Sequence, residues 1–264
     1  MGKNNTIEAV SSKLVKTRVL LGSKTLSKYV PATRAFSPRR LLAMLRQHGM
    51  VYVKPNTGSQ GNGVIRVERT KRGTYRYQSG TAISRFKTFR AMRISLQRQI
   101  SGRRYLIQKG IHVLRLDGRP FDFRIMIQKN PSRQWACTGT AGRVAHPGKI
   151  VSNGSQGGTI YTAAALVKPI AGGKRFIRLQ RSMNRLALAT AAQFGRAYPA
   201  MNELGLDLAV DRKLKPWILE VNTRPDPCPF TKLDNPRIIR RIVRYAKAYG
   251  RTYCLTCSKA KKAN

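Results

Sequence analysis

The sequence predicts an α+β fold of two lobes with antiparallel hairpins prominent. Three observations lead there. Short runs with a two-residue alternation recur along the 264 residues. They are interleaved with helical patterns rather than grouped in one half. Apolar residues make up 41% and aromatics 8%, spread over the whole length, which supplies a core and argues against a disordered chain.

The elements follow in order. A helical pattern runs from about Glu8 to Leu21 in a polar, basic start. Ser37 before Pro38 is an N-cap with Pro at the first helical position, and Leu41, Leu42 and Leu45 supply the apolar face up to Gly49. MVYVKP is a strand, NTGSQGNG a glycine-rich loop, VIRVE and TYRYQ further strands. Ser84 to Ile100 reads as a basic amphipathic helix with Phe86, Phe89, Met92 and Leu96 inward. Strands are expected at YLIQ, IHVLRL, DFRIMIQK and WACTGTAGRVA, then a second glycine-rich loop, PGKIVSNGSQGGT. Ser182 to Tyr198 is helical, LGLDLAVD and KPWILEVN are strands joined by a turn, Asn235 to Tyr249 is a helix, and the basic tail from Cys254 is frayed.

Charge narrows the partners. Lys and Arg number 52 against 10 Asp and Glu, a formal net charge of +42, with Arg ahead of Lys. A charge this one-sided opposes compaction unless an anion meets it. Polyphosphate, an acidic polypeptide and nucleic acid all qualify, and charge alone does not choose among them. No apolar run reaches the ~18–20 residues of a membrane-spanning helix, and MGKNNTIEAV lacks the pattern of a signal peptide. Four cysteines in no even framework point to a reducing, cytoplasmic setting rather than a disulfide scaffold. Cys254-x-x-Cys257 lacks the further spaced ligands that zinc needs. Nothing here fixes an oligomeric state.

The scarce acids carry more information. Asp117 and Asp122 form one group; Glu203, Asp207, Asp211, Glu220 and Asp226 form another. Glu220 and Asn222, two apart on a strand, leave the same face. Asp207 sits on the neighbouring strand, across a turn. Two carboxylates and an amide oxygen are a hard donor set suited to Mg²⁺ on nucleotide phosphates; the plainer reading is a polar edge strand. Around Gly58, Ser59, Gln60, Gly61 and Gly63 the backbone N–H groups can approach phosphate oxygens, with Lys54 beside them, though the loop is neither a Walker A motif nor a dinucleotide fingerprint. Asp122-x-Arg124 places an Arg where it can neutralise a transferred phosphoryl group or form a cross-strand ion pair. Arg143 and Asn153 extend the same anion site.

The order KPxxGSxGxGV, LIQKGI, DxR, SN with a GG loop, then GLD…ExN resembles the ATP-grasp fold, and the YheC/YheD endospore coat-associated group within it. MVYVKPNTGSQGNGV, RPFDFRIMIQKN, TGTAGRVAHPGKIVSNGSQGG and ILEVNTRPDP carry the resemblance, which spans roughly Ser12 to Arg251. It implies two lobes gripping ATP, without a full N-terminal domain before the grasp. A basic helical segment (1–30) would lead into a first lobe with the flap (31–110), a second lobe with the metal site (111–252) and a basic tail (253–264). Lys54 and the flap would hold phosphates, with Lys16 as the first ATP lysine. Gln108, Lys109 and Ile111 would form the hinge around adenine, although Lys109 stands where the family more often has Glu. Asp207, Glu220 and Asn222 would hold Mg²⁺, and Arg124, Arg143 and Asn153 would face the γ-phosphate and acceptor. The implied activity is carboxylate–amine ligation through an acyl phosphate, with an acidic peptide or protein as acceptor, spore-associated. The rival is a basic scaffold of the same fold that binds nucleic acid or the spore coat without turnover.

Overall fold

A computed structural model describes residues 10–152, 157–257 and 260–263. Helix α1 (Lys13–Leu21) begins where the Ser12 hydroxyl accepts the Val15 N–H, and α2 (Lys24–Ser27) follows behind Ser23. Strand β1 (Thr33–Ala35) leads to α3 (Pro38–His48), where the Ser37 side chain accepts the Arg40 N–H as the cap pattern predicts. Gly49, at φ 71°, stops that helix. Then come β2 (Met50–Pro55), β3 (Ile65–Arg69), β4 (Tyr75–Ser79), β5 (Ala82–Phe86), α4 (Phe89–Gln99) and β6 (Tyr105–Lys109). The first sheet runs β1-β6-β2-β3-β4-β5, antiparallel throughout. Leu41 and Leu45 of α3 and Met92 and Leu96 of α4 share a core with Val51, Val53, Val67 and Ile107 of that sheet.

The second half contains β7 (Arg115–Leu116), β8 (Arg119–Lys129), β9 (Trp135–Val144), β10 (Thr159–Tyr161), α5 (Ala163–Ala171) and α6 (Gly173–Ala197). It continues with β11 (Glu203–Val210), β12 (Pro216–Asn222), α7 (Cys228–Thr231), α8 (Pro236–Ala248) and β13 (Lys261–Lys262). Its sheet runs β12-β11-β8-β9-β10-β13, with β7 on β8, and only β10–β13 is parallel. Alternation sorts the two faces. On β8, Phe121, Phe123, Ile125 and Ile127 face the core beneath α6; Met126 turns the other way, toward Phe230 and Ile242 of α7 and α8. The same opposite face, nearer the first lobe, carries Asp122 and Arg124. A bulge beside Asp207 pairs Asp207 with Glu220 and Leu208 with Ile218, so Leu219 is the extra residue. That extra residue lets Ile218 and Val221 both reach the core.

Several expectations need correction. Residues 84–86 are not helical: Phe86 closes β5 and stacks on Tyr77 at 5.4 Å, and the helix starts only after Thr88, whose hydroxyl caps it. Of IHVLRL only Arg115–Leu116 is strand. The alanine-rich helix begins at Gly173, and α5 and β10 have no counterpart in the sequence reading. The tail is not frayed throughout: β13 pairs with β10, and Lys262 lies 2.7 Å from Asp234. The cysteines do form a bond, Cys228–Cys257, which leaves Cys254 exposed and Cys137 half-buried, its thiol pushed up to about 11 by burial. The pairing joins α7 to the tail, two segments whose proximity exists only in the folded chain.

The basic first segment packs with the second half. Leu20, Leu26 and Val30 join the core under α6. At its start α1 touches the first lobe as well: Lys13 N–H donates to Asn56 O (2.8 Å) and Leu14 N–H to Asn56 Oδ1 (3.0 Å). This helix therefore stands at the junction of the two lobes, beside the cleft.

Candidate active site

A cleft opens between the two sheets. Lys54, Gly58, Ser59 and Gly61 line it from the first lobe, Asp122, Asp207 and Glu220 from the second. The loop of the first wall is glycine-rich for a conformational reason. Gly58, Gly61 and Gly63 have φ of 98°, 74° and 71°, and Gln60 between them is also left-handed at 63°. Gly63 does not line the cleft. It packs under the loop, where an added Cβ would come within 3.0 Å of Pro55 and 3.1 Å of the Tyr105 hydroxyl.

Lys54 leaves the end of β2 and donates to Gln108 Oε1 at 2.7 Å. Burial lowers its pKa, and the charge of Glu220 opposes the shift. Gln108 is buried and in turn donates toward Thr33 Oγ1 (3.3 Å) and Leu219 O (3.4 Å), so the segment joining the lobes is tied to both. The Lys109 ammonium lies 5.5 Å from the Trp217 ring centroid, which places the unexpected cation against an aromatic face, and Lys109 and Ile111 both border the cleft.

The second wall is backed by a row of charges set by strand register; Asp122, Asp207 and Glu220 line the cleft, and Arg124 and Arg143 stand buried behind them rather than lining it. Arg124 pairs with Asp207 and Asp207 with Glu220 across β8, β11 and β12, while Asp122 pairs with Arg143 across β8 and β9. Arg143 makes a two-pronged contact to Asp122, 2.7 Å at each oxygen, and reaches Asp207 Oδ2 at 3.1 Å. Arg124 holds Asp207 from the other side at 2.5 and 3.2 Å. All four side chains are buried. Burial by itself would raise the Asp207 pKa; the two guanidiniums outweigh it and hold the carboxyl well below the usual range. Gly205 makes room for this arrangement, since a Cβ there would lie 2.8 Å from Pro225 Cβ and 3.3 Å from Arg124 Cδ.

The clustered acids separate into different roles. Asp207 and Glu220 reach the cleft. Glu203 is buried behind α8 with Tyr249, Tyr253 and Arg251. Asp211 holds the β11–β12 turn through the N–H groups of Lys213 and Lys215 and the Trp217 indole, and Asp226 accepts the Cys228 N–H. Asn222 follows Glu220 on β12, and its amide nitrogen donates to Gly205 O (3.3 Å) rather than lining the cleft. Lys16 stands behind Glu220 at 3.7 Å, in a smaller adjoining cavity; burial lowers its pKa against the pull of Glu220. Asn153 lies outside the described residues.

The sequence reading missed Lys13 and Asn56. Lys13 Nζ sits 3.2 Å from Glu220 Oε1 and donates to Gly58 O at 2.6 Å, joining flap to acid. Nothing in a basic N-terminal stretch distinguishes that lysine; its signal is the Ser12 cap, which fixes where the helix begins. At the far side, Gln78 Nε2 donates to Gly148 O (2.6 Å), tying the first sheet to the second glycine-rich loop.

Comparison with known proteins settles the family. Residues 6–252 match the family described as YheC/D like ATP-grasp. The chain belongs to that family. Two Bacillus subtilis (strain 168) relatives are similar to it. Endospore coat-associated protein YheD is 27% identical over 218 residues, covering 76% of this chain and 47% of that protein. Endospore coat-associated protein YheC is 24% identical over 205 residues, covering 76% and 56%. The chain thus spans about half the length of these YheC/D relatives. Among solved structures, N5-carboxyaminoimidazole synthase from Aspergillus clavatus, in complex with ADP and 5-aminoimidazole ribonucleotide, superposes with a TM-score of 0.54 at 10% identity, covering 96% of this chain and 54% of that one. D-cycloserine synthetase DcsG gives 0.54 at 13% identity, covering 90% and 68%. The fold is ATP-grasp. No helix among the described residues is long and apolar enough to cross a membrane.

Proposed function

We propose that this chain is an Mg²⁺-dependent ATP-grasp ligase that activates a carboxylate and joins it to an amine, with an acidic polypeptide as acceptor, and that it is associated with spores as its named relatives are. The observation that carries the reading is the facing of Lys54 and the Gly58–Gly63 loop with Asp207 and Glu220 across one cleft. On this reading Lys54 and the loop's N–H groups bind the phosphates of ATP, the co-substrate, and the segment Gln108–Ile111 borders its base. A substrate carboxylate oxygen attacks the γ-phosphorus, and the bond to the bridging oxygen breaks with ADP leaving. The amine then attacks the acyl carbon, its proton passes to water, and phosphate departs. Arg124 and Arg143, already aligned by Asp122 and Asp207, offset charge on the transferred group without reorganising.

The donor set fits a hard cation. Asp207 and Glu220 are cross-strand partners whose oxygens already attract cationic groups from both sides. These two, with the amide oxygen of Asn222, would hold Mg²⁺, which would supply charge neutralisation of the phosphates.

A second reading, a scaffold of the same fold that binds spore coat or nucleic acid without turnover, draws on a specific observation. Both Asp207 oxygens contact arginines and Glu220 contacts two lysines, so the acids are internally compensated. The deciding experiment supplies isotope-labelled ATP and acidic polypeptides and reads intact mass. Ligation adds the mass of the nucleophile and releases ADP and phosphate. Addition of phosphate alone would identify a kinase, and no nucleotide turnover with tight, salt-sensitive duplex binding would favour the scaffold.

A further inference from the structure

A second cationic feature lies away from the cleft. Strand β10 covers only Gly142, Arg143 and Val144 of β9. Along positions 135–141 that strand has β8 on one side and, among the described residues, no strand on the other. A groove follows this open edge between α6 and α8, with Phe176, Gln180, Ile238 and Arg241 along it. Through Ile238 and Arg241 it continues into a hollow lined by Arg237, Arg240 and Arg244. Helix α8 carries these four arginines and Lys247 and no acid. Positions 237, 240, 241 and 244 follow the i, i+3, i+4, i+7 spacing of one helix face, and all four are exposed. Among the described residues no carboxylate pairs with any of them. Arg241 already grips the edge, donating through Nε and Nη2 to Thr138 O at 3.0 and 2.6 Å.

We infer that this groove is a docking site for an extended acidic polypeptide segment, whose carboxylates pair with Arg237, Arg240 and Arg244 while its apolar side chains lie over Phe176 and Ile238. Charge complementarity selects an anion, since like charges at helical spacing repel one another until one arrives. The groove selects a polypeptide. Phe176 and Ile238 give it an apolar strip beside polar groups, and one wall is a strand edge; an extended chain alternates its side chains so that acids meet α8 while the others meet that strip. A nucleic-acid duplex keeps its bases stacked inside and offers only phosphates and sugars, with no second, apolar row for that strip. The site lies about 10 Å along β9 from Arg143, at ~3.4 Å per residue from Thr140. It shares the acidic partner with the proposed function and does not depend on turnover.

The test is equilibrium binding without ATP at physiological salt, read by fluorescence anisotropy. The probes are a labelled alternating Glu-Val peptide, an oligoglutamate of equal charge, and a DNA duplex. Arg237→Ser/Arg240→Ser/Arg244→Ser is compared with the charge-matched Arg39→Ser/Arg46→Ser/Arg90→Ser, all exposed positions of the first lobe. The α8 variant should weaken the alternating peptide by about tenfold or more, and the control by about twofold or less. The alternating peptide should bind more tightly than oligoglutamate. Hydrogen exchange on the unmodified protein should show peptide-induced protection at 136–141 and 237–244. Equal loss in both variants, no peptide binding, no local protection, or tighter duplex binding with the same dependence on α8 would each overturn the inference. Peptide binding without any ATP turnover would support it while refuting the ligase reading.

Discussion

The two walls of the cleft are built on opposite principles. The first-lobe wall is mostly backbone: a loop held open by left-handed glycines, with one lysine resting on a neutral amide. The second-lobe wall is mostly side chain: Asp122 and Asp207 line it, held from behind by the buried Arg143 and Arg124 in a pattern fixed by strand register. A backbone wall adapts its shape and tolerates side-chain change. A wall of paired buried charges is rigid and intolerant, because removing one partner strands the other. On the proposed function, the contrast assigns shape recognition of phosphates to the loop and electrostatic preorganisation to the sheet.

The sharpest way to break that contrast is Asp207→Asn. It leaves Arg124 without its carboxylate, and unfolding by denaturant should show a loss of about 3–5 kcal/mol. The pH dependence follows with its sign. Asp207 is held well below the ordinary carboxylate range, so its contribution is complete above that range and is lost as pH falls through the lowered value. The wild type should therefore lose stability progressively below about pH 4, and the variant should lack that part of the acid limb. Next in size, Gly205→Ala forces a Cβ to within 2.8 Å of Pro225 and against Arg124, and should cost about 1–3 kcal/mol in the same assay.

On the other wall Lys54→Met should change thermal stability little, because relief of a buried ammonium offsets the loss of the donor to Gln108 Oε1, while ATP affinity by calorimetry falls about tenfold. The smallest effect belongs to Gly58→Ala. An added methyl meets nothing within 4 Å, so only the backbone at φ 98° resists, at about 1 kcal/mol. Comparable stability losses for Gly58→Ala and Asp207→Asn would remove the distinction between the walls.

Much of this was legible in the residues because alternation is a local signal. The strands carrying Asp207 and Glu220, the Ser37 cap and the Gly49 stop all follow from neighbours in sequence. Convergence was less legible. Glu203, Asp211 and Asp226 share a stretch with the two cleft acids, yet Glu203 is buried with tyrosines and Asp211 braces a turn, distinctions made by α8 and by Trp217. Lys13 reads as another surface lysine until α1 places it between Gly58 and Glu220. The bulge beside Asp207, the open edge of β9 and the Cys228–Cys257 bond arise from pairing between distant segments. The helix reading over 84–86 failed because a strand ending in Phe86 and a helix starting at Phe89 together mimic one amphipathic run.

The most direct test is calorimetric titration of ATP into the wild type, Lys54→Met and Glu220→Gln, each with and without Mg²⁺. If nucleotide lies between the glycine loop and the two acids, the wild type binds ATP more tightly with Mg²⁺, Lys54→Met weakens binding under both conditions, and Glu220→Gln loses most of the Mg²⁺ enhancement. Nucleotide binding that is absent, or identical in all three proteins, would contradict it.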